Sequence, residues 1–207
     1  MKIIEASVEL VDDFDAATIM KKIEWAGRVC YKSEGNIKDD SAAKFIRGII
    51  KRGHESVIEH ATISFKIICD RGVTHELVRH RIASYSQESS RFCDYSAGKF
   101  GGELTFIKPC FWQEGDANFK IWLESMELAE KNYLALRAGG ARPEEARSIL
   151  PNSLKTEIFV TMNLREWRHF LKLRTAKAAH PQMREVALKI YKILVEKLPA
   201  IFDDIQP

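Results

Sequence analysis

The chain has 207 residues, 45% of them hydrophobic and 29% charged, and 32 Lys and Arg against 29 Asp and Glu leave a net charge of +3. A chain of this length fits one domain over residues 1–207 and buries roughly 70% of its unfolded surface, so its core needs no disulfide or metal staple. The near balance of charge argues against a nucleic-acid or membrane partner, and no apolar run approaches the length of a bilayer span.

Residues 2–10 alternate apolar and polar after Ile4 and are expected to form an opening strand. From Asp15 to about Cys30, Ile19, Met20, Ile23 and Val29 recur near the helical period. The polar stretch 33–40 is expected to be a loop. A second helix is expected from Ser41, a candidate N-cap, through Phe45, Ile46, Ile49 and Ile50 to Gly53. Residues 61–70 place Ile63, Phe65 and Ile67 on one face of a strand. Helical spacing returns over 74–83, and the polar, serine-dense 84–95 suits an ordered loop or edge strand. A short strand is expected at 104–107. The longest helix spans 116–138, with Leu123, Met126, Ala129, Tyr133 and Leu136 as its stripe. Gly139-Gly140 ends it, and Pro143 suits the first turn of a short helix. A strand over 156–162, a helix over 165–173 and a last amphipathic helix over 181–198 complete a mixed α/β domain of roughly six helices and four or five strands. There is no internal repeat, low-complexity tract or linker.

The chemistry concentrates in Arg79-His80-Arg81 and the loop after it, which carries Gln87, Glu88, Ser89, Ser90 and Arg91. Successive helical residues point about 100° apart, so three such side chains in a row cannot share one face. They can instead grip different parts of one polyanion, or two ligands. The loop supplies hydroxyls, an amide, a carboxylate and a guanidinium, a set suited to a phosphate and the polar edge of a base. Composition alone favours a solvated helix end with a serine-rich turn, since charge runs usually face water.

Arg79-His80-Arg81, seven residues and then Ser89, with Arg91 following, resembles the signature of flavin-dependent thymidylate synthases. Two further stretches match in order. His54-Glu55-Ser56-Val57-Ile58-Glu59-His60 resembles the family's upstream flavin-contacting segment. Arg147 to Pro151, then Asn163-Leu164-Arg165 through His169 to Arg174, then His180-Pro181-Gln182, resemble its carboxy-terminal half. His169 stands where family members often carry Asn, and Gln87 where some carry Glu.

The resemblance implies helices packed around a central twisted sheet, in a homotetramer whose active sites are shared between subunits. It implies methylation of dUMP to dTMP, with FAD as cofactor and NADPH and 5,10-methylenetetrahydrofolate as co-substrates. FAD contacts would fall to Ser56, Glu59, Arg79, His80, Arg81, Gln87, Asn163, Leu164, Arg165 and His169. Contacts to dUMP would fall to Glu76, Leu77, Val78, Arg79, Gln87, Glu88, Ser89, Ser90, Arg91, Arg147 and Arg174. Arg174 would be the catalytic residue, stabilising uracil with N3 ionised and so pushing electron density to C5.

Four competing readings are weaker. His54 and His60 lie six apart, about 240° round a helix, unlike the i, i+4 pairs that bind metal, so no metal is expected. Pro109-Cys110 echoes the Pro-Cys pair of the unrelated folate-only synthases, but no base is placed to make a thiolate. Ser89 likewise lacks an adjacent base to act as a nucleophile. A nucleic-acid-binding module would show a basic stripe with interleaved aromatics, and none is present. Cys30, Cys69, Cys93 and Cys110 include no CxxC pair, and the amino terminus lacks a signal-peptide core, so a reduced, cytoplasmic protein is expected.

Overall fold

The computed structural model describes residues 1–98 and 101–207. The mixed α/β class expected from the sequence is what forms. In chain order its elements are β1 (Lys2–Ile4), β2 (Ser7–Leu10), α1 (Ala16–Tyr31), α2 (Ser41–Lys51), β3 (Thr62–Asp70), α3 (Arg71–Leu77) and β4 (Ala83–Gln87). Then come β5 (Thr105–Ile107), α4 (Ala117–Ala138), α5 (Pro143–Ala146), β6 (Lys155–Asn163), α6 (Leu164–Arg174), α7 (Pro181–Lys197) and α8 (Pro199–Phe202). Single 3-10 segments lie at Glu34–Asn36, Glu55–His60 and Arg147–Ile149. β1 and β5 pair in parallel, with Ile3 opposite Phe106, and a four-stranded sheet has the order β2-β3-β6-β4.

Contacts cluster into two compact units. The first comprises Met1–Ser7, Ile67–Arg79 and Ser86–Ile158, and the second Val8–Lys66, His80–Tyr85 and Phe159–Pro207. The core of the first gathers Tyr95, Leu104, Phe106, Phe119, Trp122, Met126, Tyr133, Ala146 and Leu154. On α4 the buried stripe is Phe119, Trp122, Met126 and Tyr133, whereas Leu136 is exposed. Met126 and Tyr133 of the expected stripe are buried and Leu123 packs partly buried against the core, while Phe119 and Trp122 take the remaining core positions because their large rings bury the most surface. Arg137 on α4 grips Asp94 through two bonds, of 2.6 and 3.0 Å. Those bonds hold the Asp94 carboxyl well below the usual carboxylate range.

In the second unit α1 packs on α2, α2 on α8, and α6 on α7. A Cβ on Gly27 of α1 would meet the Phe45 ring at 2.6 Å, so that helix pair approaches as closely as it does because the residue is glycine. Trp167 of α6 is fully buried, edge-on to Phe65 and Phe170, and its indole N–H donates to the Ile63 carbonyl over 2.9 Å.

Four expectations about elements are corrected. Residues 2–10 form two strands, because β1 and β2 belong to different sheets. The N-cap position of α2 is Asp40; Ser41 Oγ instead donates to the buried Glu24 carboxylate over 2.8 Å. The helix expected over 74–83 runs Arg71–Leu77, because Asp70 caps it by accepting from the Val73 N–H, and β4 starts at Ala83 as an edge strand. The last helix stops at Lys197, and Pro199 opens a separate turn.

Candidate functional site

The first unit holds Glu76, Leu77, Val78, Arg79, Gln87, Glu88, Ser89, Ser90, Arg91 and Arg147 of the expected site residues. Gln87 ends β4, and its amide donates to the hydroxyls of Thr74 (3.0 Å) and Thr156 (3.2 Å). The Glu88 carboxylate accepts from the Tyr95 hydroxyl (2.8 Å) and the Lys155 ammonium (2.9 Å). Burial disfavours the Lys155 ammonium, but its hydrogen bonds to Glu157 and Glu88 outweigh that and raise its pKa. Burial and the neighbouring Glu88 push the Tyr95 phenol up, so it stays a hydrogen-bond donor.

From Ser89 the chain turns tightly, with the Phe92 and Cys93 N–H groups both donating to the Ser89 carbonyl. That turn buries Ser90, whose hydroxyl accepts from Arg147 Nη1 over 3.3 Å. Arg91 is exposed, 3.9 Å from Glu144. Two guanidinium groups and two serine hydroxyls therefore belong to one unit, with a third guanidinium nearby in sequence to Val73. Arg71 Nη1 is a buried donor with no hydrogen-bond partner among the described residues. An orphaned N–H of that kind fits an anionic oxygen supplied by a ligand. The Leu77 side chain is fully buried, so only its main chain is left to contact a ligand.

The second unit holds Ser56, Glu59, His80, Arg81, Asn163, Leu164, Arg165, His169 and Arg174. Asn163 caps α6 by accepting from the Glu166 N–H over 2.8 Å, and the Leu164 N–H donates to the Ala61 carbonyl. These bonds set the start of α6 beside the 3-10 segment Glu55–His60. A concave site of about 470 Å³ opens there, lined by Glu55, Glu59, Ile82, Asn163, Arg165, Glu166, His169 and Lys172. Arg165 pairs with Glu59 at 2.6 Å. Ser56, Arg81 and His169 are exposed, while the side chain of Leu164 lies in the core.

His80 is buried between three residues of α6. Its Nδ1 lies 3.2 Å from Glu166 Oε1, its Nε2 accepts from Arg174 Nε over 3.2 Å, and its ring stands edge-on to Phe170 at 5.1 Å. Burial lowers its pKa, Arg174 and His169 push the same way, and the net direction is down despite Glu166. The Tyr85 hydroxyl donates to the His80 carbonyl over 2.7 Å, and burial with the Glu166 charge pushes its pKa up to about 12.

Among the described residues, His80, Glu166 and His169 are the group whose ligand atoms, within 4.8 Å of one another, have metal-binding types. Both nitrogens of His80 are already engaged, and the Arg174 guanidinium sits against the ring, so the donor set suits a hydrogen-bond chain better than a cation. His54 bonds to Tyr31 at 2.6 Å and has no part in that group.

The expected contact residues did not include Glu166, Lys172, Lys155 or Arg71, nor Glu55, which entered only within the segment 54–60. For Glu166 the sequence shows only that 166, 170 and 174 share a helix face at i, i+4 and i+8, with nothing local to name His80 as the partner. For Lys155 it was the alternation of β6, which puts it on one face with Glu157.

Residues 9–200 match the family of the thymidylate synthase complementing protein. A flavin-dependent thymidylate synthase from Pyrococcus furiosus is 37% identical over 195 residues, covering 91% of this chain and 77% of that protein. One from Mycolicibacterium gilvum is 35% identical over 212 residues, covering 96% and 84%. The UMP/dUMP methylase PolB from Streptomyces cacaoi, solved with 5-Br dUMP, superposes with a TM-score of 0.79 at 26% identity, covering 98% of this chain and 96% of that one.

Proposed function

Because this chain belongs to the thymidylate synthase complementing protein family, we propose that it is a flavin-dependent thymidylate synthase, a methyltransferase that converts dUMP to dTMP. The observation that carries the reading is the bond joining Arg147 to Ser90 across 57 residues of sequence. It supports a cradle for a nucleotide phosphate made by Arg147, Arg91, Ser89 and Ser90, with Arg71 adding an unmet donor. Guanidinium groups suit this because they stay cationic and present donors in a fixed plane.

In this reading Arg174 faces the uracil, stabilises it with N3 ionised and raises electron density at C5. No cysteine nucleophile is needed. Asn163, Arg165, Glu59, Ser56 and the main chain at Leu164 hold the FAD, with His80, Arg81 and His169 beside it; Arg79 and Gln87 reach both ligands. The concave site fits such a ligand in kind, offering carboxylates for hydroxyls, the Arg165 guanidinium and Lys172 ammonium for phosphates, and the Ile82 and His169 side chains for a ring. A bound flavin would supply hydride chemistry, with NADPH as the source of electrons and 5,10-methylenetetrahydrofolate as the carbon donor.

A single domain over 1–207, a homotetramer with sites completed across subunits, and a cytoplasmic location belong to the same proposal. Exposed Ile121 and Leu128 on α4 support association. No described helix is long and apolar enough to cross a membrane. The test is a visible spectrum of the purified protein with an FAD titration. Flavin bands, or saturable binding, are expected. No bands and no binding at high micromolar FAD would end the reading.

A further inference from the structure

The proton on His80 can be located from its neighbours. Arg174 Nε carries a hydrogen and no lone pair, and it donates to His80 Nε2 over 3.2 Å. His80 Nε2 must then be the unprotonated nitrogen, so the ring hydrogen sits on Nδ1 and is donated to Glu166 Oε1 over 3.2 Å. We propose that Glu166 is a positioning residue for the methylation: it holds the His80 hydrogen on Nδ1, and the ring so fixed orients the Arg174 guanidinium. The inference rests on the role given to Arg174 in the proposed function.

The geometry makes the arrangement stiff. Glu166, Phe170 and Arg174 form one i, i+4, i+8 stripe of α6, and all three meet the same imidazole. Glu166 stands in the first turn of the helix, and its own N–H donates to the capping Asn163 side chain over 2.8 Å, which fixes the backbone that carries it. Burial of Glu166 and His80 to 8% and 4% exposure keeps water from replacing either partner. The main chain of His80 is tied by the Tyr85 hydroxyl. The other tautomer would set an Nε2 hydrogen against the Arg174 Nε hydrogen, two donors facing each other, and the guanidinium would have to turn away. The downward direction of the His80 pKa agrees, since only the neutral ring can accept from Arg174.

Two readouts test this, and they fail separately. The first is the nitrogen-15 spectrum of the full chain labelled at histidine, with His80→Gln used to assign the ring. A neutral His80 with hydrogen on Nδ1 is expected in the unmutated protein, and hydrogen on Nε2 would overturn the inference whatever the enzyme does. The second is kinetic. Glu166→Leu removes the acceptor and should lower kcat for dTMP formation about 10- to 100-fold, the scale for a misoriented group, with KM for dUMP within about threefold. Glu166→Gln keeps a carbonyl acceptor and a similar volume, so it should retain the Nδ1 tautomer and restore much of that loss. Should Glu166→Leu not fold, the spectrum of the unmutated protein and the Gln variant decide the matter: loss of the Nδ1 tautomer in the Gln variant with kcat unchanged would overturn the inference. Near-wild-type kcat in a folded Glu166→Leu, while Arg174→Ala is inactive, would sink the positioning role and leave the proposed function standing. Active Arg174→Ala would sink the Arg174 role itself.

Discussion

Replacing Arg168 by Met would expose how much of this fold hangs on one buried guanidinium. Arg168 is 1% exposed in the second unit. Its Nη1 and Nη2 meet the two oxygens of Asp204 at 2.6 and 2.7 Å, its Nε meets Glu55 Oε1 at 3.3 Å, and Nη1 also donates to the Ile201 carbonyl. Met keeps much of the stem's volume and removes all four bonds. The Ile201 carbonyl lies in a fully buried residue and would lose its donor, costing about 1–3 kcal/mol. Asp204 is about half exposed and can return to water, so its share is at most about 1 kcal/mol. Glu55, one-fifth exposed, keeps Lys172 at 3.8 Å but loses its nearer partner. The expected loss is about 3 kcal/mol, the low end for breaking a buried ion pair. For a chain of this length that is a fall in Tm of roughly 6–12 °C. Urea and thermal unfolding at matched protein concentration measure it, with Asp204→Asn as the milder companion. A loss under about 1 kcal/mol would show that the cost of burying the guanidinium cancels its bonds, and the reasoning would fail.

Two further outcomes are expected. Arg174→Ala should cut dTMP formation by about 10²–10³-fold while NADPH oxidation by the flavin persists, and near-wild-type synthesis would refute the activation role. His80 has a folded pKa below its ordinary 6.5, so its neutral form is the one the fold prefers. Its contribution to stability is therefore present above pH 6.5 and lost as pH falls through the lower folded value. Glu166, Arg174 and His169 are the groups that act on the ring's charge, and of these only Glu166 favours the charged ring; the Tyr85 hydroxyl meets the His80 carbonyl instead. The unfolding midpoint should drop more steeply below pH 6.5 in the unmutated protein than in His80→Gln, and equal slopes would contradict the account.

Local chemistry wrote several elements plainly. Period-two alternation gave the strand now seen as Thr62–Asp70, and a sustained helical period gave Ala117–Ala138 and Leu164–Arg174 within a residue or two. Their signals lie wholly within one window of sequence. The Arg79-His80-Arg81 motif and the serine-rich loop were equally legible as a concentration of donors, though composition left a solvated turn open. Other features needed partners far away. Residues 2–10 split because two sheets claim its halves, and Ser41 gave up the cap for Glu24, 17 residues earlier. Glu166 reads in sequence as an ordinary acidic residue in a first helical turn; only folding brings His80 to it across 86 residues. A hydrogen bond has a direction and a short reach, so which nitrogen of a ring carries the proton is decided by tertiary neighbours and by nothing in the local sequence.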